Sequence, residues 1–148
     1  MELFRQAAIH EPDDFRTWGN IGDALSAMPA TAAQAPEAYR RAAQRAAAYV
    51  KVKSEDARVI AQLAWFRANL GDDREARDLI ARSEALGTDQ GEVALWSAQT
   101  LAVLGDLDAA RAQLARARRA GITKQRIQAL PHLRRLLDTA APAVSTAG

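Results

Sequence analysis

Cysteine is absent and histidine occurs only twice in 148 residues. Disulfides and thiolate metal sites are excluded at once. His10 and His132 stand far apart, each read as an exposed side chain rather than a metal ligand or general base. Aromatic residues make up 5% of the chain, and no β-branched run of strand length lies outside helical periodicity. No apolar stretch approaches the ~18 residues that a membrane span needs. The opening segment, Met1 to Gln6, is amphipathic and lacks the apolar core of a secretory signal, so a cytoplasmic location is expected. No Gly-x4-Gly-Lys-Ser/Thr phosphate loop occurs; Gly19-Asn20-Ile21-Gly22 lacks the lysine. The acidic pairs Asp13-Asp14, Asp72-Asp73 and Asp106-x-Asp108 open helices, where capping explains them better than acid–base chemistry. No catalytic, cofactor or metal site is therefore predicted, and the chain reads as a non-enzyme.

What is abundant is alanine, 35 residues of 148, a composition that favours helix and close helix packing. The length suits one domain with a continuous core. Two stretches organise it, Leu70-Gly71-Asp72 running on to Ile80 and Leu104-Gly105-Asp106 running on to Leu114. Gly71 and Gly105 lie 34 residues apart, as do Ala76 and Ala110. A fixed period with a Leu-Gly-Asp turn marks a stacked helical hairpin. Leu-Gly closes one helix, the glycine being free to turn left-handed. Asp72 or Asp106 then starts the next as its N-cap, and the acids behind it suit that helix's positive end.

In chain order, residues 2–12 read as half a repeat, a helix end with Leu3, Phe4, Ala7 and Ala8 on one face, broken at Pro12. With its partner helix missing, the chain is expected to be a piece of a longer array. Residues 14–50 form a first repeat, whose leading helix puts Trp18, Ile21, Gly22 and Leu25 on one face. A mid-helix Gly22 costs ~1 kcal/mol against alanine, which close contact with the facing helix explains. That facing helix starts near Pro36, runs to about Val50, and buries Ala38, Tyr39, Ala42 and Ala43. Ser54 is expected to cap the next helix. Residues 55–87 are a second repeat, with Ile60, Leu63, Ala64, Ala76, Leu79, Ile80 and Ser83 inward. Residues 91–121 are a third, with Ala94, Ala98, Leu101, Ala110, Leu114 and Ala117 inward. Residues 123–140 give two short helices, Lys124–Leu130 and Pro131–Ala140, whose Leu130, Leu133, Leu136 and Leu137 cover the last apolar face. Residues 141–148 are read as a small, polar, disordered tail.

These residues resemble the tetratricopeptide repeat family. Trp18-x2-Ile21-Gly22-x2-Leu25, then Ala35-x3-Tyr39-x2-Ala42, is similar to its Trp-x2-Leu-Gly-x2-Tyr and Ala-x3-Phe pattern. Ala76-x3-Ile80 and Ala110-x3-Leu114 repeat the second half. The later copies lack the closing proline, and Gly22 to Ala64 spans eight residues more than the period. The resemblance implies an all-α fold, a right-handed superhelical solenoid of antiparallel helix hairpins. It would hold about three repeats, a leading half-repeat and C-terminal capping helices. The order of parts is also similar to the tails of bacterial multidomain signalling proteins.

The same resemblance implies a concave groove lined by the first helix of each hairpin. The stripe at i, i+4, i+7 and i+11 is Arg16, Asn20, Asp23 and Ala27 in the first copy. It is Arg58, Gln62, Trp65 and Asn69 in the second, and Glu92, Trp96, Gln99 and Val103 in the third. Arg16, Asn20, Asp23, Arg58, Gln62, Trp65, Asn69, Glu92, Trp96 and Gln99 are the candidate partner-binding residues. Alternatively, the tryptophans pack between repeats, and Arg16 and Asp23 pair with neighbouring side chains. The cationic clamp that some family members use for a peptide carboxylate is missing, because Gly19, Asp23, Gln62, Glu92 and Trp96 occupy its places. The expected function is a non-catalytic adaptor for a protein or peptide partner, without cofactor or membrane. The alternative is self-association, in which a second copy or an upstream domain covers the edge bearing Phe4. Charge is uneven: residues 1–110 hold 12 Lys+Arg against 17 Asp+Glu, and residues 111–148 hold 8 against 1. With no aromatic in the basic segment to stack bases, nucleic-acid binding is expected to be weak and salt-sensitive at most.

Overall fold

The computed structural model describes residues 14–138, so the half-repeat read over residues 2–12 and the tail 141–148 lie outside the described residues. The described residues are helical, with no strand among them. Three helix pairs follow one another: α1 (Phe15–Ser26) with α2 (Ala35–Val52), α3 (Ala57–Asn69) with α4 (Asp73–Ala85), and α5 (Gln90–Val103) with α6 (Leu107–Arg119). Each pair packs together, α3 also packs on α2, and α5 packs on α3. Two short helices follow, α7 (Lys124–Gln128) and α8 (Pro131–Asp138). No helix among the described residues is long and apolar enough to cross a membrane.

The Leu-Gly-Asp turns form as their chemistry requires. Gly71 and Gly105 both take φ of 83°. The next N–H then reaches back into the helix, Asp72 to the Arg67 carbonyl at 3.0 Å and Asp106 to the Leu101 carbonyl at 2.9 Å. These bonds satisfy carbonyls that the helix ends would leave orphaned. Asp106 caps α6 by accepting from the Ala109 N–H. Asp72 does not cap α4 with its side chain; its carboxylate lies 3.7 Å from the Arg67 guanidinium instead. Ser54 is also not the cap of α3. Asp56 takes that place, its carboxylate accepting from the Val59 N–H at 3.2 Å and from the Tyr49 hydroxyl at 3.0 Å. The charged acceptor, two residues nearer the first apolar position, suits the N-terminal dipole better than a neutral hydroxyl.

The period runs further than the hairpin turns. Val59, Val93 and Ile127 succeed one another at 34 residues and are all buried, at 2%, 3% and 0% exposure. Ile127 of α7 thus continues the spacing of the buried valines of α3 and α5. Helix α7 ends at Gln128 rather than Leu130, because Pro131 disfavours helical backbone in the residue before it. Pro131 then serves as the first residue of α8, where its missing N–H costs nothing.

Two glycines let α1 approach its neighbours. A Cβ on Gly22 would stand 2.7 Å from Tyr39 Cε1, and one on Gly19 would stand 2.6 Å from Phe66 Cε1. The Tyr39 ring is 2% exposed and has nowhere to retreat. Gly22→Ala is therefore expected to destabilise the fold by about 1–3 kcal/mol, the overpacking cost outweighing a helix-propensity gain of about 1 kcal/mol. Denaturant unfolding checks it; an unchanged or higher midpoint would show that the ring yields.

Candidate functional site

Three helices meet at Asp23. Its Oδ1 accepts from the Tyr39 hydroxyl of α2 at 2.8 Å and from the Trp65 indole N–H of α3 at 2.9 Å. Burial raises the Asp23 carboxyl above its ordinary pKa, while the bonds from Tyr39 and Trp65 and the nearby His132 oppose that rise. Burial, together with the Asp23 charge, also pushes the Tyr39 phenol well up, so it remains a donor. The indole has its one polar atom satisfied, which permits Trp65 to be 2% exposed.

Of the two readings of Trp65, groove wall or packing side chain, burial favours the second, and it lies in the core. Gln62 and Gln99, also candidates, are each 6% exposed. Part of the cover over Trp65 is α8, which turns back onto α5. Leu133 and Leu136 of α8 are buried in the main core, at 0% and 8% exposure. His132 sets its ring edge against Trp65, with centroids 5.2 Å apart and planes at 65°. The leucines predicted to close the end of the stack are thus spent partly on the face where a partner was expected. Helical spacing places a residue on a face but is silent about a segment arriving from far along the chain. His132 is exposed, as the sequence reading has it, but its contact with Trp65 was not foreseen. Its signal was Leu133-x2-Leu136, an apolar pair at helical spacing beside it.

The other candidates divide between structure and surface. Asn69 is half-buried and donates to the Trp65 carbonyl at 2.9 Å. Arg16 is exposed, with its guanidinium 4.8 Å from the Phe15 ring centroid, and Asn20 is exposed. Trp96 is half-buried against the core. Arg58 of α3, Glu92 of α5 and Arg126 of α7 form a ladder. Arg126 grips both Glu92 oxygens, one at 2.8 Å, and Arg58 stands 4.0 Å away. These guanidiniums, Arg126 first, hold the Glu92 carboxyl below its ordinary value. The structure therefore brings Asp23, Trp65 and Asn69 together as one cluster and Arg58 with Glu92 as another. Among the described residues, no group of three or more His, Asp or Glu is placed to hold a metal ion. Compared with protein-family models, curated proteins and solved structures, the chain matches none.

Two outcomes follow from the Asp23 cluster. Asp23→Asn keeps an acceptor for both donors without a buried charge, and is expected to lie within about 1 kcal/mol of the parent at pH 7; Asp23→Ala strands the indole N–H and costs about 2–3 kcal/mol. Because Asp23 binds its proton more tightly folded than unfolded, the parent gains stability relative to Asp23→Asn as pH falls through the raised pKa. Denaturant titrations at several pH values test both signs.

His132 supplies the second. Burial against Trp65 lowers its pKa from 6.5, with Asp23 pulling the other way. Docking of α8 favours neutral imidazole, so the His132 contribution is full above 6.5 and is lost as pH falls through the depressed value. An imidazole NMR titration should give a midpoint below 6.5 in the parent, returning toward it in Leu133→Glu, which unseats α8. Identical midpoints in the two proteins would contradict the docking.

Proposed function

We propose that the chain is a non-catalytic interaction module, a tetratricopeptide-like right-handed array whose leading helices receive a helical segment of a protein partner. The supporting observation is α8 itself, a short helix seated on α5 with its leucines buried and His132 against Trp65. The helix beneath α8 has the makings of a receptor: α5 is largely apolar, with a few polar groups such as Gln99 and Thr100 among its buried residues. In this reading α8 occupies the face within the chain and a partner segment of similar pattern exchanges with it. The module would serve a larger cytoplasmic protein of bacterial signalling type, the setting in which such arrays follow other domains. Self-association through the edge bearing Phe4 rests on residues outside those described and draws no support from α8.

The test uses a labelled synthetic peptide with the sequence of residues 128–140. Leu133 is 0% exposed, so Leu133→Glu places a charge where none is tolerated and opens the seat. The peptide is expected to bind this variant saturably, about tenfold or more tighter than it binds the parent, whose seat is filled. A scrambled peptide should not bind, and Trp96→Ala in the open variant should weaken binding. An open variant that remains helical yet ignores the peptide would remove this face from consideration.

A further inference from the structure

Three side chains of α8 meet the array, at positions i, i+1 and i+4 of the helix: His132, Leu133 and Leu136. The two leucines are buried, and any amphipathic helix with a Leu-x2-Leu pair supplies their like. His132 makes a less general contact. Its ring stands 5.2 Å from the Trp65 ring, with the planes at 65°. The indole is held by α1, α2 and α3 alone. Its N–H donates to Asp23 at 2.9 Å, Asn69 donates to the Trp65 carbonyl, and Tyr39 donates to Asp23 in turn. The imidazole, by contrast, makes no hydrogen bond to another described residue, and part of it lies in water. What α8 offers Trp65 is therefore a flat ring and not a polar group. Tilted ring pairs of this kind gain from a positive ring edge meeting an electron-rich face.

We infer that Trp65 is the specificity platform of the seat, and that it selects partner helices in which an aromatic residue stands directly before the Leu-x2-Leu pair. Such selection rests on the exchange of α8 for a partner helix, and adds the side chain that decides between partners. Phenylalanine at the ring position keeps the tilted pair and takes no ring nitrogen out of water, so it fits better than the histidine of α8. Leucine there fills much of the same space but lacks the ring's charge distribution, and alanine leaves the indole uncovered. On this view α8 is a replaceable occupant: its leucines fit, and its ring is the weaker half of the contact.

Labelled peptides with the sequence of residues 128–140 are titrated into the full chain carrying Leu133→Glu, where the seat is open. The set holds the unaltered sequence, His132→Phe, His132→Leu and His132→Ala, and a His132→Phe peptide with serine in place of Leu133 and Leu136. The His132→Phe peptide is expected to bind about two- to tenfold tighter than His132→Leu, and about tenfold or more tighter than His132→Ala. The serine peptide should not saturate. In the chain, adding Trp65→Leu should erase the preference for phenylalanine over leucine, and adding Trp65→Phe, which keeps a ring, should retain it. The peptide series leaves the core untouched, so it decides even where Trp65→Leu does not fold. Equal affinity of the His132→Phe and His132→Leu peptides would overturn the selection and leave the exchange standing, whereas failure of every peptide to bind would remove both. An equimolar complex of the open chain with the parent, which the His132→Phe peptide cannot displace, would assign the seat to α8 of a second copy and overturn the proposal as well.

Discussion

One carboxylate oxygen joins the first helix pair to the second. Asp23 stands on α1, takes a hydrogen bond from α2 through Tyr39, and takes another from α3 through Trp65. The close approach that makes this possible depends on the glycines beside it. Gly22 admits the Tyr39 ring and Gly19 admits the Phe66 ring, so α1 can lie against two helices at once. A larger residue at either place would push Asp23 away from one donor. The indole N–H would then be buried without a partner, an arrangement that costs more than the bond itself contributes. The helix-breaking tendency of two glycines in one turn is accepted for that contact.

The same indole links the start of the array to its end, because its ring carries His132 of α8. This explains why α3 and α5 lack the one-sided pattern of surface helices. Residues of α3 from Val59 to Phe66 are buried without a break, and in α5 Val93, Leu95, Ser97, Gln99 and Thr100 are all buried. A helix apolar all round must be covered all round. For α5 the covering elements are α3, α4, α6 and α8. Its polar members pay for their burial locally where they can, Thr100 donating to the Trp96 carbonyl at 2.9 Å.

How far the chain discloses this arrangement depends on the range of each interaction. The turns were legible because they are made within a few residues: Gly71 and Gly105 must turn left-handed, and the spans of α4 and α6 follow from them. Gly22 was legible in kind, since an unfavoured residue in mid-helix implies a close neighbour. Ser54 was misread as a cap because two capping residues stood in succession, and only the three-dimensional course of the loop selected Asp56. Trp65 was left between two readings, and Gln99 was placed in a groove, for a different reason. Their place on a stripe is local, but whether the stripe faces water depends on Leu133 and Leu136, which sit in a segment with its own amphipathic pattern. The continuation of the spacing through Val59, Val93 and Ile127 was present in the chain, and all three side chains are buried.

Charge obeys the period as well. Arg58, Glu92 and Arg126 follow one another at 34 residues, so they occupy one position in successive leading helices. In a stacked array equivalent positions become neighbours, and a repeated charge there would face its own sign. Alternation from cation to anion to cation converts that repulsion into the observed grip of Arg126 and Arg58 on Glu92. Similar pairs tie Glu84 of α4 to Arg116 of α6, and Arg77 of α4 to the capping Asp106. The acidic front and basic end of the sequence are therefore partly the two halves of contacts between repeats. Arg116 and Arg126 count toward the basic excess in the sequence, yet each has an acid from the earlier portion beside it. The charge available to an outside partner is therefore narrower than the net charge suggests.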